Sequence, residues 1–253
     1  MALLQLNFAS QALAQPADVL VLLPDRPDPA VPYRTLYLLH GLGDDRWGWL
    51  RYTEIENLVR GTDVAVVMPS AGHGFYTDMA HGHPYFTYVA RELPRYLASL
   101  LPLSPRREDT FVMGNSMGGY GAFKLALAYP ERYARAAALS GALDIQRFVN
   151  TFSLPGFDPR LAFGDDLAVS GTQNDLFCLL DKALSARASL PGLYCFCGRN
   201  DILLEESRAF AAYARARAVP LTYVEGEGEH LWTTWARSVR PAFAWLLGSI
   251  EQP

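Results

Sequence analysis

The chain is predicted to be an α/β protein, built on one mostly parallel eight-stranded sheet with helices on both faces. Three observations carry that expectation. Short apolar runs bounded by turn residues alternate with helical patterns along almost the whole length, as strands joined by crossover helices do. The later runs are apolar at consecutive positions rather than at every second one, which suits parallel strands buried on both faces. The 253 residues, half of them hydrophobic, can bury one large core, and neither a repeat nor a linker divides residues 1–253 into separate domains.

Residues 3–8 and 19–23 read as strands joined by a polar turn and ended by the proline-rich stretch 24–32. So short a link suggests an antiparallel pair at a sheet edge. Residues 35–39, 64–68, 110–113, 136–139, 193–197 and 221–224 follow as buried parallel strands. Helical spacing falls between them at 54–60, 85–100, 118–129, 205–218 and 233–247. Right-handed crossovers distribute such helices over both faces. Residues 143–190 are longer than one crossover helix requires and carry Pro155, Gly156, Pro159, Gly164 and Gly171. Long connections in compact domains are often functional covers, so this segment is expected to form a partial lid; the alternative is an elaborated pair of surface helices.

A formal charge of −4 offers no basic field for a phosphate backbone, which argues against nucleic acid as a partner. No apolar run is long enough to cross a bilayer. Residues 1–15 place no basic residue ahead of an apolar segment and show no cleavage signal, so a cytoplasmic location is expected. Cys178, Cys195 and Cys197 cannot all pair, and the C-x-C lacks partner ligands; they read as reduced core thiols. Exposed aromatics leave self-association open.

The chemistry points to Gly114-Asn115-Ser116-Met117-Gly118, where an apolar strand breaks and a helix opens. A serine on such a turn projects above the sheet edge as a nucleophile, whereas a Gly-Ser turn alone is ordinary turn chemistry. The strand before it and the helical spacing of Ala122, Phe123, Ala126 and Leu127 after it favour the nucleophile. An attacking serine needs a base and a carboxylate that orients the base, in the chain order Ser, acid, His. His230, in a glycine-containing acidic loop, is the one histidine after Ser116 and is the expected base. Asp201 is the expected acid, because it leaves the strand before the one that delivers His230. Asp144 competes for that role, and Asp201 could instead cap the helix that begins nearby. Backbone donors for an oxyanion are expected at Met117 and at Leu42, with Gly41 permitting close approach. His40 is expected to brace that turn. His73, His81, His83 and Asp78 match no metal-ligand spacing, so no metal is expected. Trp47 and Tyr76, in loops after strands, are candidates for a substrate pocket, against simple packing.

These residues resemble the esterase D-like branch of the α/β-hydrolases, nearest to bacterial tributyrin esterases and similar to S-formylglutathione hydrolases. The matching blocks are 38–43, 66–69, 74–78, 85–89, 92–94, 114–124, 139–144, 198–201 and 225–232, nearly end to end. The resemblance implies the α/β-hydrolase fold, Ser116, Asp201 and His230 as the catalytic set, Leu42 and Met117 as oxyanion donors, and hydrolysis of short-chain acyl esters without a cofactor. Thioester hydrolysis, or removal of acetyl or feruloyl groups from polysaccharides, is the alternative. A catalytically silent binding scaffold would be expected to show a damaged Ser, Asp and His set. Two departures bear on substrate preference: the acidic loop of Glu225, Glu227 and Glu229, and the histidine-rich stretch 80–84.

Overall fold

The computed structural model describes residues 1–25, 28, 30–153 and 155–248. Arg26, Pro27 and Pro29 of the proline-rich stretch, and Leu154 within 143–190, lie outside the described residues. Eight strands form one sheet in the order β1-β2-β4-β3-β5-β6-β7-β8. They are β1 Ala2–Ser10, β2 Gln15–Leu23, β3 Arg34–Leu39, β4 Val64–Pro69, β5 Thr110–Asn115, β6 Arg135–Leu139, β7 Gly192–Gly198 and β8 Leu221–Gly226. β1 pairs antiparallel with β2, and β2 with β4. All remaining neighbours are parallel, so the loops after β3 to β8 leave at one edge. This is the α/β-hydrolase fold.

Alternate residues of each strand serve opposite layers. Val19, Val21, Tyr37, Leu39 and Val112 belong to the core layer that also holds α5 Met117–Ala128 and α9 Leu204–Ala216. Leu20, Leu22, Leu36, Leu38 and Met113 pack with α2 Ile55–Val59 and α10 Trp232–Leu246. Burying each such side chain contributes roughly 2 kcal/mol, which explains why the apolar runs were readable as strands.

The link between β1 and β2 is less polar than expected, since Leu13 turns inward and is buried. Its backbone is tied down by Glu92, whose carboxylate accepts from the Gln11 and Ala12 amides at 2.6 and 3.2 Å. The helix expected over 85–100 is a composite of α3 Tyr85–Thr87, a π-helical turn Tyr88–Glu92 and α4 Leu93–Leu100. Pro94 lacks the N–H that would reach back to Ala90, and Arg132 supplies the missing donor to that carbonyl at 2.7 Å. α1 Gly48–Tyr52 was not anticipated.

Residues 143–190 contain α6 Ile145–Thr151, α7 Pro159–Phe163 and α8 Leu176–Ser185. They are fastened to the body of the protein. Phe148, Phe157 and Phe163 surround Phe75 with ring centroids 5.0–5.4 Å away. The His81 amide donates to Leu161 at 2.9 Å. Among the described residues no helix is long and apolar enough to cross a membrane.

Candidate active site

Ser116 joins β5 to α5 with φ 52° and ψ −119°, a conformation that costs a non-glycine residue about 1–3 kcal/mol. Its surroundings enforce it. A methyl group on Gly114 would lie 2.3 Å from the Gly118 carbonyl oxygen, and one on Gly118 would lie 2.3 Å from that of Leu39. Glycine at both positions lets the helix start against the ends of β5 and β3. The Ser116 amide donates to Leu139 at 2.9 Å, and its carbonyl accepts from Tyr120 at 3.1 Å. From Phe111 to Leu127 every residue except Ser116 is buried. The hydroxyl is where this unit meets solvent.

The loops after β7 and β8 converge on that hydroxyl. Gly198 lets them touch, because a methyl there would sit 2.3 Å from the Gly228 carbonyl. The Arg199 and Asn200 amides donate across to Gly226 and Gly228 at 2.8 and 3.0 Å. Thr234, at the start of α10, accepts from the Glu229 amide at 3.1 Å. This scaffold carries His230, whose Nε2 lies 2.8 Å from Ser116 Oγ and whose Nδ1 lies 2.9 Å from Asp201 Oδ1. The Asp201 side chain is fully buried, and the His230 side chain is 20% exposed. The same Asp201 oxygen accepts from the Leu203 amide at 2.8 Å, so the carboxylate is oriented by a turn as well as by the imidazole. Asp144, the alternative acid, caps α6 by accepting from the Arg147 amide at 3.0 Å.

The turn after β3 is pinned beside Ser116. Asp44 donates its amide to Gly41 at 3.3 Å, with Gly43 at φ 82° in the left-handed position that glycine favours. A methyl on Gly41 would lie 3.0 Å from Asn115 Nδ2 and 3.4 Å from Ser116 Cβ. Leu42 follows this contact directly. Met117 is the first residue of α5, where an amide has no intrahelical acceptor and the helix dipole favours negative charge. His40 braces the turn: the Ala71 amide donates to Nε2 at 2.9 Å, which puts the ring proton on Nδ1, donating to Gly41 O at 2.8 Å. Burial lowers the His40 pKa to about 4, so the ring stays neutral.

Tyr76 does not line an open pocket. It is fully buried, and its hydroxyl donates to the His40 carbonyl at 3.0 Å. Its loop doubles back through Phe75 and Tyr76, both with φ 48°, which tucks the ring under the turn. Trp47 is half-buried before α1, and its amide donates to Asp45 at 2.8 Å. In the histidine-rich stretch His81 meets Asp165 of the segment 143–190 at 3.2 Å, and just before it Asp78 accepts from the Thr87 amide and hydroxyl at 2.7 and 2.8 Å. Among the described residues no group of three or more His, Cys, Asp or Glu is placed to hold a metal ion. Burial pushes the Cys195 thiol up and the Cys197 thiol to about 12. Glu225 is bound by Arg208 at 2.8 and 3.0 Å and by the Tyr223 hydroxyl, which holds its carboxyl down at about 2.

A serine, a histidine and an aspartate linked at the carboxyl edge of a parallel sheet are the hallmark of the serine hydrolases of this fold. Residues 10–246 match the family described as "Putative esterase", and the chain belongs to that family. It is a serine esterase. An acetyl esterase from Caldicellulosiruptor saccharolyticus is 33% identical, with the alignment covering 97% of this chain and 98% of the relative. The substrate-bound structure of fluorophosphonate-binding serine hydrolase F from Staphylococcus aureus superposes with a TM-score of 0.92 at 33% identity, covering 97% of this chain and 98% of that one. An S-formylglutathione hydrolase from Staphylococcus aureus gives a TM-score of 0.89 at the same identity and coverage.

Proposed function

We propose that this esterase hydrolyses short-chain acyl esters through an acyl-enzyme on Ser116. The continuous chain from Asp201 through His230 to Ser116, with links of 2.9 and 2.8 Å, carries this reading. His230 Nε2 removes the hydroxyl proton as Oγ attacks the ester carbonyl. The negative charge that develops on the carbonyl oxygen is held by the Leu42 and Met117 amides, each worth about 3 kcal/mol in the transition state. Asp201 keeps the proton of neutral His230 on Nδ1 and steadies the imidazolium that forms. The imidazolium then protonates the departing alcohol. A water, deprotonated by the same nitrogen, attacks the acyl carbon and releases the acid.

The full-length likeness to an acetyl esterase supports a small acyl group. A second reading, hydrolysis of S-formylglutathione, is supported by the Staphylococcus aureus structure of that description, since a thioester carbonyl calls for the same groups. Residues 143–190 act as a fixed wall rather than a swinging lid. The segment begins after Ala142, whose amide donates to the Ser116 carbonyl at 3.3 Å, and the aromatic cluster on Phe75 holds it down. Residues 1–253 work as one catalytic domain. Ser116→Ala should remove hydrolysis of p-nitrophenyl acetate and labelling by a fluorophosphonate, leaving the far-ultraviolet circular dichroism unchanged. Turnover at the wild-type rate in that variant would refute the proposal.

A further inference from the structure

The turn that carries Leu42 and the loop that carries His230 leave different strands, yet both must address one carbonyl group. Trp232 stands between them. Its Nε1–H donates to Asp44 Oδ2 at 3.2 Å, across 188 residues of sequence. Asp44 closes the turn that begins at Gly41. The indole meets Trp49 edge-on at 5.2 Å and stacks on Tyr52 at 5.0 Å. Trp49 Nε1 in turn donates to the carbonyl of Leu39, the last residue of β3 before the turn, at 3.0 Å. On its other side Trp232 meets Trp235 edge-on at 5.2 Å, and Trp235 stands perpendicular to the His230 ring at 5.0 Å. Room for this arrangement is specific, because a methyl on Gly48 would lie 2.9 Å from Trp232 Cζ2.

Resting on the esterase mechanism above, we propose that Trp232 is a positioning residue, which holds the oxyanion turn in register with His230 through Asp44 on one side and Trp235 on the other. Packing alone does not require the indole N–H, since a half-buried aromatic of similar size would cover α1 equally well. The hydrogen bond to Asp44 is the element that couples the two loops. A displacement of either loop by about 1 Å would lower transition-state stabilisation while leaving the binding of a small ester nearly unchanged.

The test uses steady-state hydrolysis of p-nitrophenyl acetate by the whole protein. Trp232→Phe and Asp44→Ala should each lower kcat roughly tenfold, with KM within about twofold of wild type. Asp44→Asn keeps an acceptor for the indole and should recover most of kcat. The double variant Asp44→Ala/Trp232→Phe should be no slower than either single one, because both remove the same bond. Unchanged kcat in both single variants, a double variant whose loss is the product of the two, or Asp44→Asn as slow as Asp44→Ala would overturn the proposal. Should Trp232→Phe fail to fold, the Asp44→Ala and Asp44→Asn pair decides alone, at a half-buried position in a loop. Absence of hydrolysis in the wild type would overturn the esterase mechanism itself, whereas wild-type turnover with indifferent variants overturns only the bridge.

Discussion

Gly118→Ala tests whether the close packing around Ser116 sets the catalytic geometry. The added methyl would lie 2.3 Å from the Leu39 carbonyl oxygen and 2.7 Å from that of His40. Both atoms are main chain, so no side-chain rotation can relieve the overlap. Ordinary contacts with carbon begin near 3.5 Å, so the start of α5 must retreat by about 1 Å from the end of β3. Ser116 and the Met117 amide move with the helix, but the Leu42 amide stays with the turn. A misplacement of that size costs about a hundredfold in rate, so kcat for p-nitrophenyl acetate should fall about that far. Stability should fall by about 1–3 kcal/mol, as for other overpacked sites. Gly61→Ala is the control: nothing lies within 4 Å of its added methyl, and φ 80° confines its strain to the turn before β4, at the opposite end of the strands from Ser116. Its kcat should stay within a fewfold of wild type. A folded Gly118→Ala protein with kcat within threefold of wild type would refute the reasoning.

Lys124 is buried on α5 and donates to Asn174 Oδ1 at 2.7 Å and to the Tyr76 carbonyl at 3.2 Å, neither of them charged. Loss of hydration lowers its pKa from 10.5 to about 7. Between those values the unfolded chain holds a proton that the folded one has released, so stability should rise with pH by about 1.4 kcal/mol per pH unit. Urea unfolding at pH 7.5 and 9.0 should show this gain of about 2 kcal/mol in the wild type and not in Lys124→Met; equal slopes in the two proteins would contradict it. Tyr76→Phe removes the hydroxyl that donates to the His40 carbonyl. It should cost about 1–2 kcal/mol in thermal or urea unfolding and leave KM for short esters unchanged, because the ring faces the core. A several-fold change in KM would instead place the ring at the substrate.

β3 to β7 were legible because both of their faces are apolar, whereas β1 and β8 at the sheet edges are mostly exposed or half-buried, so residues 221–224 are not the buried strand expected. The structure extends β2 by four residues at its start and the other strands by one or two. Apart from α2, which falls within the helix expected at 54–60, the short helices were not legible. α1, with five residues, is too brief to display a period of 3.6, and α6 to α8 lie in a segment rich in glycine and proline. Their capping residues were nevertheless visible: Asp144, Asp158 and Asp175 each accept an amide at a helix start, and Asp158 is followed by Pro159 at the first helical position. The π-helical turn before Pro94 depends on a carbonyl satisfied by Arg132, a contact between distant segments that local spacing does not encode. The burial of Tyr76 was hidden for a similar reason. Position after a strand places a residue near the carboxyl edge of the sheet, but the sharp reversal at Phe75 and Tyr76 decides which side the ring takes.

Asp144 and Asp201 show how far local pattern can go in such a site. Each follows a parallel strand, and each accepts an amide at a turn or helix start, so sequence alone leaves both as candidates to orient the histidine. Tertiary contact separates them. The mutual approach of Gly198 and Gly228 binds the loop after β7 to the loop after β8, and His230 emerges from the second of these. The loop after β6 is engaged instead with Ser116 through Ala142 and then turns away into α6. A carboxylate on the β7 loop therefore meets the imidazole, while one on the β6 loop meets the amide of Arg147. Only the first is fully buried, and there an unpaired charge would be costly and a hydrogen bond to an imidazole correspondingly strong. The geometry of two glycines, rather than the aspartates themselves, thus determines which carboxylate faces His230.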